Sequence, residues 1–277
     1  MVLLDLLRRQ NAAEGSRFFE LVVAHFDHGI RRDSAADRAF VAERTRRLGL
    51  EFYFERGNLG AGVSEAAARD VRYKFLNRLK SSVNASAILT AHHQDDLIET
   101  MMINILRGTG PRGLFSLDSR PELVRPLLNY SKQDILDYAK SHGLIWREDR
   151  TNKDQKYLRN YIRQNIAVKL DRTGKEKLLK LAEKAKASNL EYEAIIQTMI
   201  TGEKTLDKKI FARLDNRSSK ELLAVFLRQN KIRFDSKSLN RCVIFCKTAR
   251  PAKKFPLEGS FYISTDEARI YLQNTAE

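Results

Sequence analysis

Residues 18–26 (FFELVVAHF) form a nearly continuous apolar run, and this stretch constrains the fold more than any other. A strand that is apolar on both faces must be covered on both faces, as happens in a parallel sheet flanked by helices. The residues that follow agree with that architecture. After a turn at Asp27-His28-Gly29, Ser34 and Asp37 have the spacing of a helix N-cap box, and the helix they open is expected to stop at Gly49. A short strand follows at residues 52–54. Ser64 introduces a second helix in which Ala68, Val71, Phe75 and Leu79 recur at three- and four-residue intervals, and residues 85–91 (ASAILTA) read as another buried strand. Strand, helix, strand, helix, strand predicts an α/β domain with a doubly wound parallel sheet, which binds ligands beyond the carboxyl ends of its strands. His25-Phe26-Asp27-His28-Gly29 and Ala91-His92-His93-Gln94-Asp95-Asp96 both fall at such ends.

Near residue 165 the character changes. Between Arg147 and Lys186 there are thirteen basic residues against six acidic ones, and from Gly174 a long charged helix is expected to reach Ile200. The expected organisation is a first domain over residues 1–168 and a smaller, mainly helical second domain over 169–277, with two short strands near 261–264 and 269–272 as a terminal hairpin. The chain carries 50 lysines and arginines against 35 acidic residues, a net charge of +15. Such a field suits a polyanionic partner, with nucleic acid ahead of an anionic membrane. No apolar run approaches bilayer-spanning length, and residues 1–20 lack the order of a secretion signal, so the expected setting is the cytoplasm, with no membrane partner. Cys242 and Cys246 are too few for a disulfide scaffold and read as core thiols on one helical face.

The strongest local signal is AHHQDDLIET, residues 91–100. A helix beginning near Gln94 or Asp95 puts Asp96 and Glu99 on one face, three apart, with His92 in the turn that enters it. Two carboxylates there can hold an ammonium, bind magnesium through water or remove a proton; an acidic first turn can also merely complement the helix dipole. His25 and His28 with Asp27 can ligate a metal or anchor a loop by hydrogen bonds, and no metal is assigned. Arg69 and Arg72 can meet phosphate or form a solvated face. The glycines of RGTGPRGL, residues 107–114, can let backbone amides approach a phosphate or simply make a turn.

The segments HFDHGIRRDSAAD (25–37), AARDVRY (67–73), LTAHHQDDLIET (89–100), RGTGPRGL (107–114), RPLL (125–128) and WREDRTNKDQKYLRNYIR (146–163) together resemble tRNA(Ile)-lysidine synthetase, of the PP-loop ATP pyrophosphatase superfamily. The resemblance implies an ATP-dependent ligase that uses ATP and Mg2+ and acts on isoleucine tRNA with a CAU anticodon and on free lysine. It adenylates C2 of the wobble cytidine and then forms lysidine. Carried over residue by residue, it implies that Asp96 and Glu99 hold and deprotonate lysine, with His92 by the adenylate and Arg72 near the phosphates or the cytosine oxygen. His25, Asp27, Arg72 and His92 would face the nucleotide. Arg107, Arg159, Asn160 and Arg163 would contact tRNA, although Arg159, Asn160 and Arg163 also fit a basic helix packed between domains. A homodimer is one expected assembly.

The resemblance also implies a leading strand and a Ser-Gly-Gly-x-Asp-Ser loop whose amides cradle the ATP phosphates. Here the first ten residues match the helix after that loop. The expectation is therefore a domain without its first strand and phosphate loop, and with impaired activity. Two other readings stay open: a catalytically inactive tRNA-binding remnant, and another PP-loop tRNA-modifying enzyme such as a thiolase. The distance of both cysteines from the first domain weighs against the second.

Overall fold

The apolar run builds the expected strand. β1 (Val22–Asp27) pairs in parallel with β2 (Glu51–Arg56), from Val22 opposite Glu51 to Asp27 opposite Arg56. The structure, a computed structural model, describes residues 1–13, 19–29, 34–57, 59–60, 62–147, 158–202 and 204–274. Phe18 at the head of the expected strand, and residues 148–157 of the basic segment, lie outside these. The crossover from β1 to β2 is α2 (Ser34–Arg47), and the chain turns out of it at Gly49, whose φ of +66° is the left-handed conformation that glycine adopts without strain. Ser34 is the first residue of α2, and its buried hydroxyl donates to Asp27 Oδ2 at 3.0 Å, so the helix start is tied to the end of β1.

α3 (Glu65–Ser82) begins where Ser64 caps it, the hydroxyl accepting the Ala67 N–H at 3.2 Å. Of its apolar stripe Phe75 is buried, with its ring 5.8 Å from that of Phe26 on β1, while Ala68, Val71 and Leu79 are half-buried. Burying one such aromatic side chain contributes about 1.5–3 kcal/mol.

β3 (Ile88–Leu89) and β4 (Leu123–Val124) make a second parallel pair, extended by N–H donation from Ile88 to the Glu122 carbonyl and from Thr90 to the Val124 carbonyl, each at 3.0 Å. The parallel strands with helical crossovers are thus present as two pairs, and α3 packs against both β1 and β3. Among the described residues β1 and β3 do not pair with each other.

The remaining helices of this region are α1 (Val2–Ala13), α4 (Gln94–Leu106), α5 (Lys132–Ser141), α6 (Leu158–Asn165) and the long α7 (Arg172–Thr198). Ile98 and Met101 of α4 and Ile162 of α6 are fully buried, and these two helices pack together. α1 is joined to α5 where the Tyr138 hydroxyl donates to Asp5 Oδ2 at 2.9 Å.

Residues 1–182 and 183–277 form two units, and the border falls within α7. The second unit has the expected hairpin, β8 (Phe261–Thr265) antiparallel to β9 (Arg269–Asn274). It also has three short strands that sequence reading did not find: β5 (Ile200–Gly202), β6 (Thr205–Asp207) and β7 (Lys254–Pro256). They complete an antiparallel sheet of order β5-β6-β9-β8-β7. Three residues are too few to display a period of two, so only pairing to the hairpin reveals them. Helices α8 (Lys208–Arg213), α9 (Asn216–Gln229) and α10 (Ser236–Thr248) are each capped by an aspartate, Asp207, Asp215 and Asp235. They cover a core that includes Leu206, Phe211, Leu222, Phe226, Ile263 and Leu272. Cys242 and Cys246 lie inside this core as free thiols, on the one face of α10 expected of them. No helix among the described residues is long and apolar enough to cross a membrane.

Candidate active site

The first turn of α4 gathers the charged residues of AHHQDDLIET, and the fold sends each carboxylate to a different task. His93 is the N-cap, and Asp96 Oδ2 reaches back to accept its backbone N–H at 3.0 Å, which satisfies a donor that the helix itself cannot. Asp95 accepts the Lys132 N–H of α5 at 2.8 Å and the Lys175 ammonium of α7 at 2.6 Å. Burial works to raise the Asp95 pKa, but those two hydrogen bonds and the lysine charge bring it below the ordinary carboxylate value.

Glu99 faces inward and is 1% exposed. Arg163 grips it with both ends of its fork, Nε to Oε1 at 2.6 Å and Nη2 to Oε2 at 2.9 Å, and Arg159 Nε stands 3.6 Å from Oε2. That bidentate bond raises the Arg163 pKa, against an opposing effect of burial. Arg159 also donates to Glu65 at 2.8 Å and to the Thr100 hydroxyl at 2.9 Å, so α6 is fastened to both α3 and α4. Asn160 is buried between these two arginines in sequence. Arg163 lies 3.8 Å from Asp96 Oδ1, the one Asp96 oxygen not committed to the cap.

His92, in the turn before α4, shares a hydrogen bond between Nδ1 and the Thr90 hydroxyl at 2.8 Å. Burial, with the charges of Arg125, Arg69 and Arg72, outweighs the pull of Asp96 and lowers its pKa to about 4. At neutral pH the ring is therefore uncharged, an imidazole that can give or accept one hydrogen bond at a cationic site. Arg72 shares the site: its guanidinium carbon is 5.5 Å from the Tyr73 ring centroid, and its pKa is lowered by burial and by neighbouring Arg69 and Arg159.

His25 and Asp27 sit at the end of β1. The Asp27 carboxylate is buried and accepts from the Gly29 N–H at 2.8 Å and the Ser34 hydroxyl at 3.0 Å, with Arg56 at 3.8 Å. These contacts outweigh the effect of burial and hold its pKa below the ordinary range. They also shape the turn, where Gly29 has φ +71° and a Cβ would overlap the Gly57 carbonyl oxygen. His25 is half-buried, and burial lowers its pKa despite Asp27 and Asp37. Arg107 is exposed at the C-cap of α4, at the opposite end of that helix from His92.

The structure thus brings His92, Asp96, Glu99 and Arg72 together with Arg159, Asn160 and Arg163, and places Arg107 apart. Among the described residues no group of three or more His, Cys, Asp or Glu side chains is placed to hold a metal ion. Sequence reading missed Thr90, Tyr73, Lys175 and Arg125. Arg125 was within reach, since it opens the RPLL segment, but Lys175 meets Asp95 from 80 residues away and leaves no local signal.

The family profile described as PP-loop domain matches residues 1–170. Among curated proteins, the chain is 41% identical over 150 residues to a tRNA(Ile)-lysidine synthase of Thermus thermophilus, a match covering 52% of this chain and 29% of that protein. Against the protein of the same name from Thermotoga sp. strain RQ2 it is 38% identical over 154 residues, 53% of this chain and 37% of the other. For that of Ralstonia nicotianae the values are 38% over 155 residues, 53% and 33%. The matched stretch spans about a third of the length of these relatives. The solved structure of the U34-tRNA thiolase NcsA from Methanococcus maripaludis with its [4Fe-4S] cluster superposes with a TM-score of 0.52 at 15% identity, over 67% of each chain, a likeness of fold alone.

Proposed function

The chain belongs to the PP-loop domain family, and from that premise we propose that it modifies tRNA with ATP, ligating free lysine to C2 of the wobble cytidine of isoleucine tRNA with a CAU anticodon. The observation that carries this reading is the division of labour on α4: a partly free Asp96, beside an uncharged His92, over a Glu99 already neutralised by arginine. The names of the matched relatives point the same way.

In the first step the cytidine O2 attacks the α-phosphorus of ATP, brought as its magnesium complex, and pyrophosphate leaves. Arg72, half-buried in the cationic site, faces the phosphate charge, and neutral His92 supplies a hydrogen bond beside it. In the second step the ε-nitrogen of lysine bonds to C2, the C2–O bond breaks, and AMP departs with that oxygen. Lysine arrives as an ammonium and must lose a proton before its nitrogen can attack. Asp96 takes that role because Oδ1 has only a long contact to Arg163, whereas both oxygens of Glu99 are hydrogen-bonded. Glu99 instead holds Arg163 and Arg159 in place, and through them the surface that α6 offers to tRNA. Arg107, the homodimer and His25 with Asp27 at the nucleotide remain parts of the same proposal.

Lysine incorporation into tRNA(Ile) with a CAU anticodon tests it. Asp96→Asn keeps the side-chain shape and should lower lysine transfer by about a hundredfold or more while adenylated tRNA still forms and accumulates. Failure of Asp96→Asn to form adenylated tRNA would assign the carboxylate to ATP rather than to lysine.

A further inference from the structure

Two arginines beside this site have no task in the scheme above. Arg69 on α3 lays its guanidinium 4.7 Å from the Tyr73 ring centroid and donates to the Tyr73 hydroxyl at 3.3 Å. Arg125, just after β4, is 5% exposed, donates from Nη1 to the Asp118 carbonyl at 2.5 Å and also meets Tyr73. Its buried Nε–H has no acceptor among the described residues. With Arg72 this makes three guanidinium groups around one tyrosine ring and His92.

These three differ from four neighbouring arginines that the fold pairs with acids. Arg78, Arg147, Arg159 and Arg163 each have a carboxylate within 2.9 Å. Arg69, Arg72 and Arg125 have no ion pair with any carboxylate among the described residues. Burial and mutual repulsion press on the charges of Arg72 and Arg125, and the one carboxylate that offsets Arg72, Glu65, is already hydrogen-bonded to Arg159. A buried donor without an acceptor, set among uncompensated cations, is costly unless a ligand completes it.

We infer that Arg69, Arg72 and Arg125, with His92 at their edge, form a binding site for a phosphate-type oxyanion, and that the free Nε–H of Arg125 is one of its donors. A tetrahedral oxyanion can accept from forks that arrive from several directions, whereas a planar carboxylate fully satisfies only one. The phosphate can belong to a nucleotide, whose free form is pyrophosphate, or to the backbone of an RNA. The inference stands apart from lysine transfer, because the site needs neither lysine nor an anticodon.

Calorimetric titration of the 277-residue chain with inorganic pyrophosphate, without tRNA or lysine, tests it, and a short single-stranded RNA serves as the second probe. Arg69→Gln and Arg125→Lys should each weaken one of the two ligands by about tenfold, the loss of one charge-assisted hydrogen bond. Arg172→Gln, at a side chain 93% exposed and remote from the cluster in sequence, should leave both affinities unchanged. Weakening confined to pyrophosphate identifies a nucleotide phosphate, and weakening confined to RNA identifies the backbone. Arg69→Gln keeps the test decisive if Arg125→Lys does not fold. Unchanged affinity for both probes in Arg69→Gln and Arg125→Lys, or an equal loss in Arg172→Gln, overturns the inference and leaves only the diffuse attraction of a basic chain.

Discussion

The two units bury different chemistry. In residues 183–277 the interior is apolar: Phe211, Leu222, Phe226, Ile263 and Leu272 interlock, and among the described residues the buried polar side chains are those of Ser219 and Thr265. In residues 1–182 the interior includes Asp27, Glu99 and Arg125, while Ile98, Met101 and Ile162 form a smaller apolar centre between α4 and α6. An apolar interior is stable on its own account, since burial of carbon surface is favourable wherever it occurs. A buried ion pair holds only while both partners are in place. The second unit is therefore organised by packing, and the first by an ion-pair network that also fixes the geometry of a site.

The largest effects should come from breaking each interior on its own terms. Phe226→Ala removes a fully buried ring and should destabilise the second unit by about 3–5 kcal/mol. Glu99→Gln leaves Arg163 and Arg159 facing a neutral amide and should destabilise the first unit by about 2–3 kcal/mol, less than a fully enclosed pair because both arginines retain some solvent. Hydrogen exchange resolved by peptide assigns each loss to its unit. The comparison is sharpened by the double change Glu99→Met with Arg163→Met. Recovery of most of the lost protection would mean that the pair is kept for the site rather than for stability, and no recovery would mean that the fold requires the charges.

Acid and alkali should separate the two units next. His92 has a folded pKa of about 4 against an ordinary 6.5, so its contribution is fully present above pH 6.5 and is lost as the pH falls from 6.5 towards 4. The depressed carboxylates Asp27 and Asp95 add a second loss, as the pH falls below about 4 and through their folded values. In the second unit Asp215 and Asp266 are also depressed but sit at the surface, where the effect is small. Of its two buried thiols, Cys246 is raised by its hydrogen bond with Cys242 and by burial, so its contribution is present below the ordinary thiol pKa of about 8.5 and is lost as the pH rises above it. Exchange protection measured from pH 4 to 10 should fall first in residues 1–182 on the acid side and first in 183–277 on the alkaline side. Parallel loss in both units at both ends would break the distinction.

The same contrast explains what the sequence could and could not convey. Elements set by near neighbours were legible: Ser64 caps α3, α4 begins at Gln94, Gly49 follows α2, and the terminal hairpin lies where two short strands were expected. The spacing of Asp96 and Glu99 also put them near one face of α4, but spacing does not say which member of a pair turns into the protein. That choice is made by Arg163, 64 residues away in the chain. The sequence leaves Arg159 and Arg163 between a tRNA contact and a basic helix packed between domains, because their carboxylate partners are remote in the chain. The three-residue strands of the second unit escaped for a related reason, since each is defined by its neighbour in the sheet and not by its own pattern.

The smallest effect probes the edge of the ionic network, where Lys175 meets Asp95 at 2.6 Å with both side chains partly accessible to water. Solvent screens such a pair, and the lysine gives up rotamer freedom to hold it, so the coupling should be near 1 kcal/mol rather than the larger value of an enclosed pair. A double-mutant cycle of Asp95→Asn and Lys175→Met isolates that coupling from the hydrogen bond that Asp95 also accepts from the Lys132 N–H, which asparagine can keep through its side-chain oxygen. Salt distinguishes the sources: the coupling should shrink between about 0.05 and 0.5 M, where the screening length falls to a few ångströms, while the backbone hydrogen bond should not change. A coupling above about 2 kcal/mol that resists salt would place Asp95 and Lys175 in the interior network with Glu99. A coupling of zero would leave the first turn of α7 held to α4 by packing alone, and would bring this corner of the first unit closer in kind to the second.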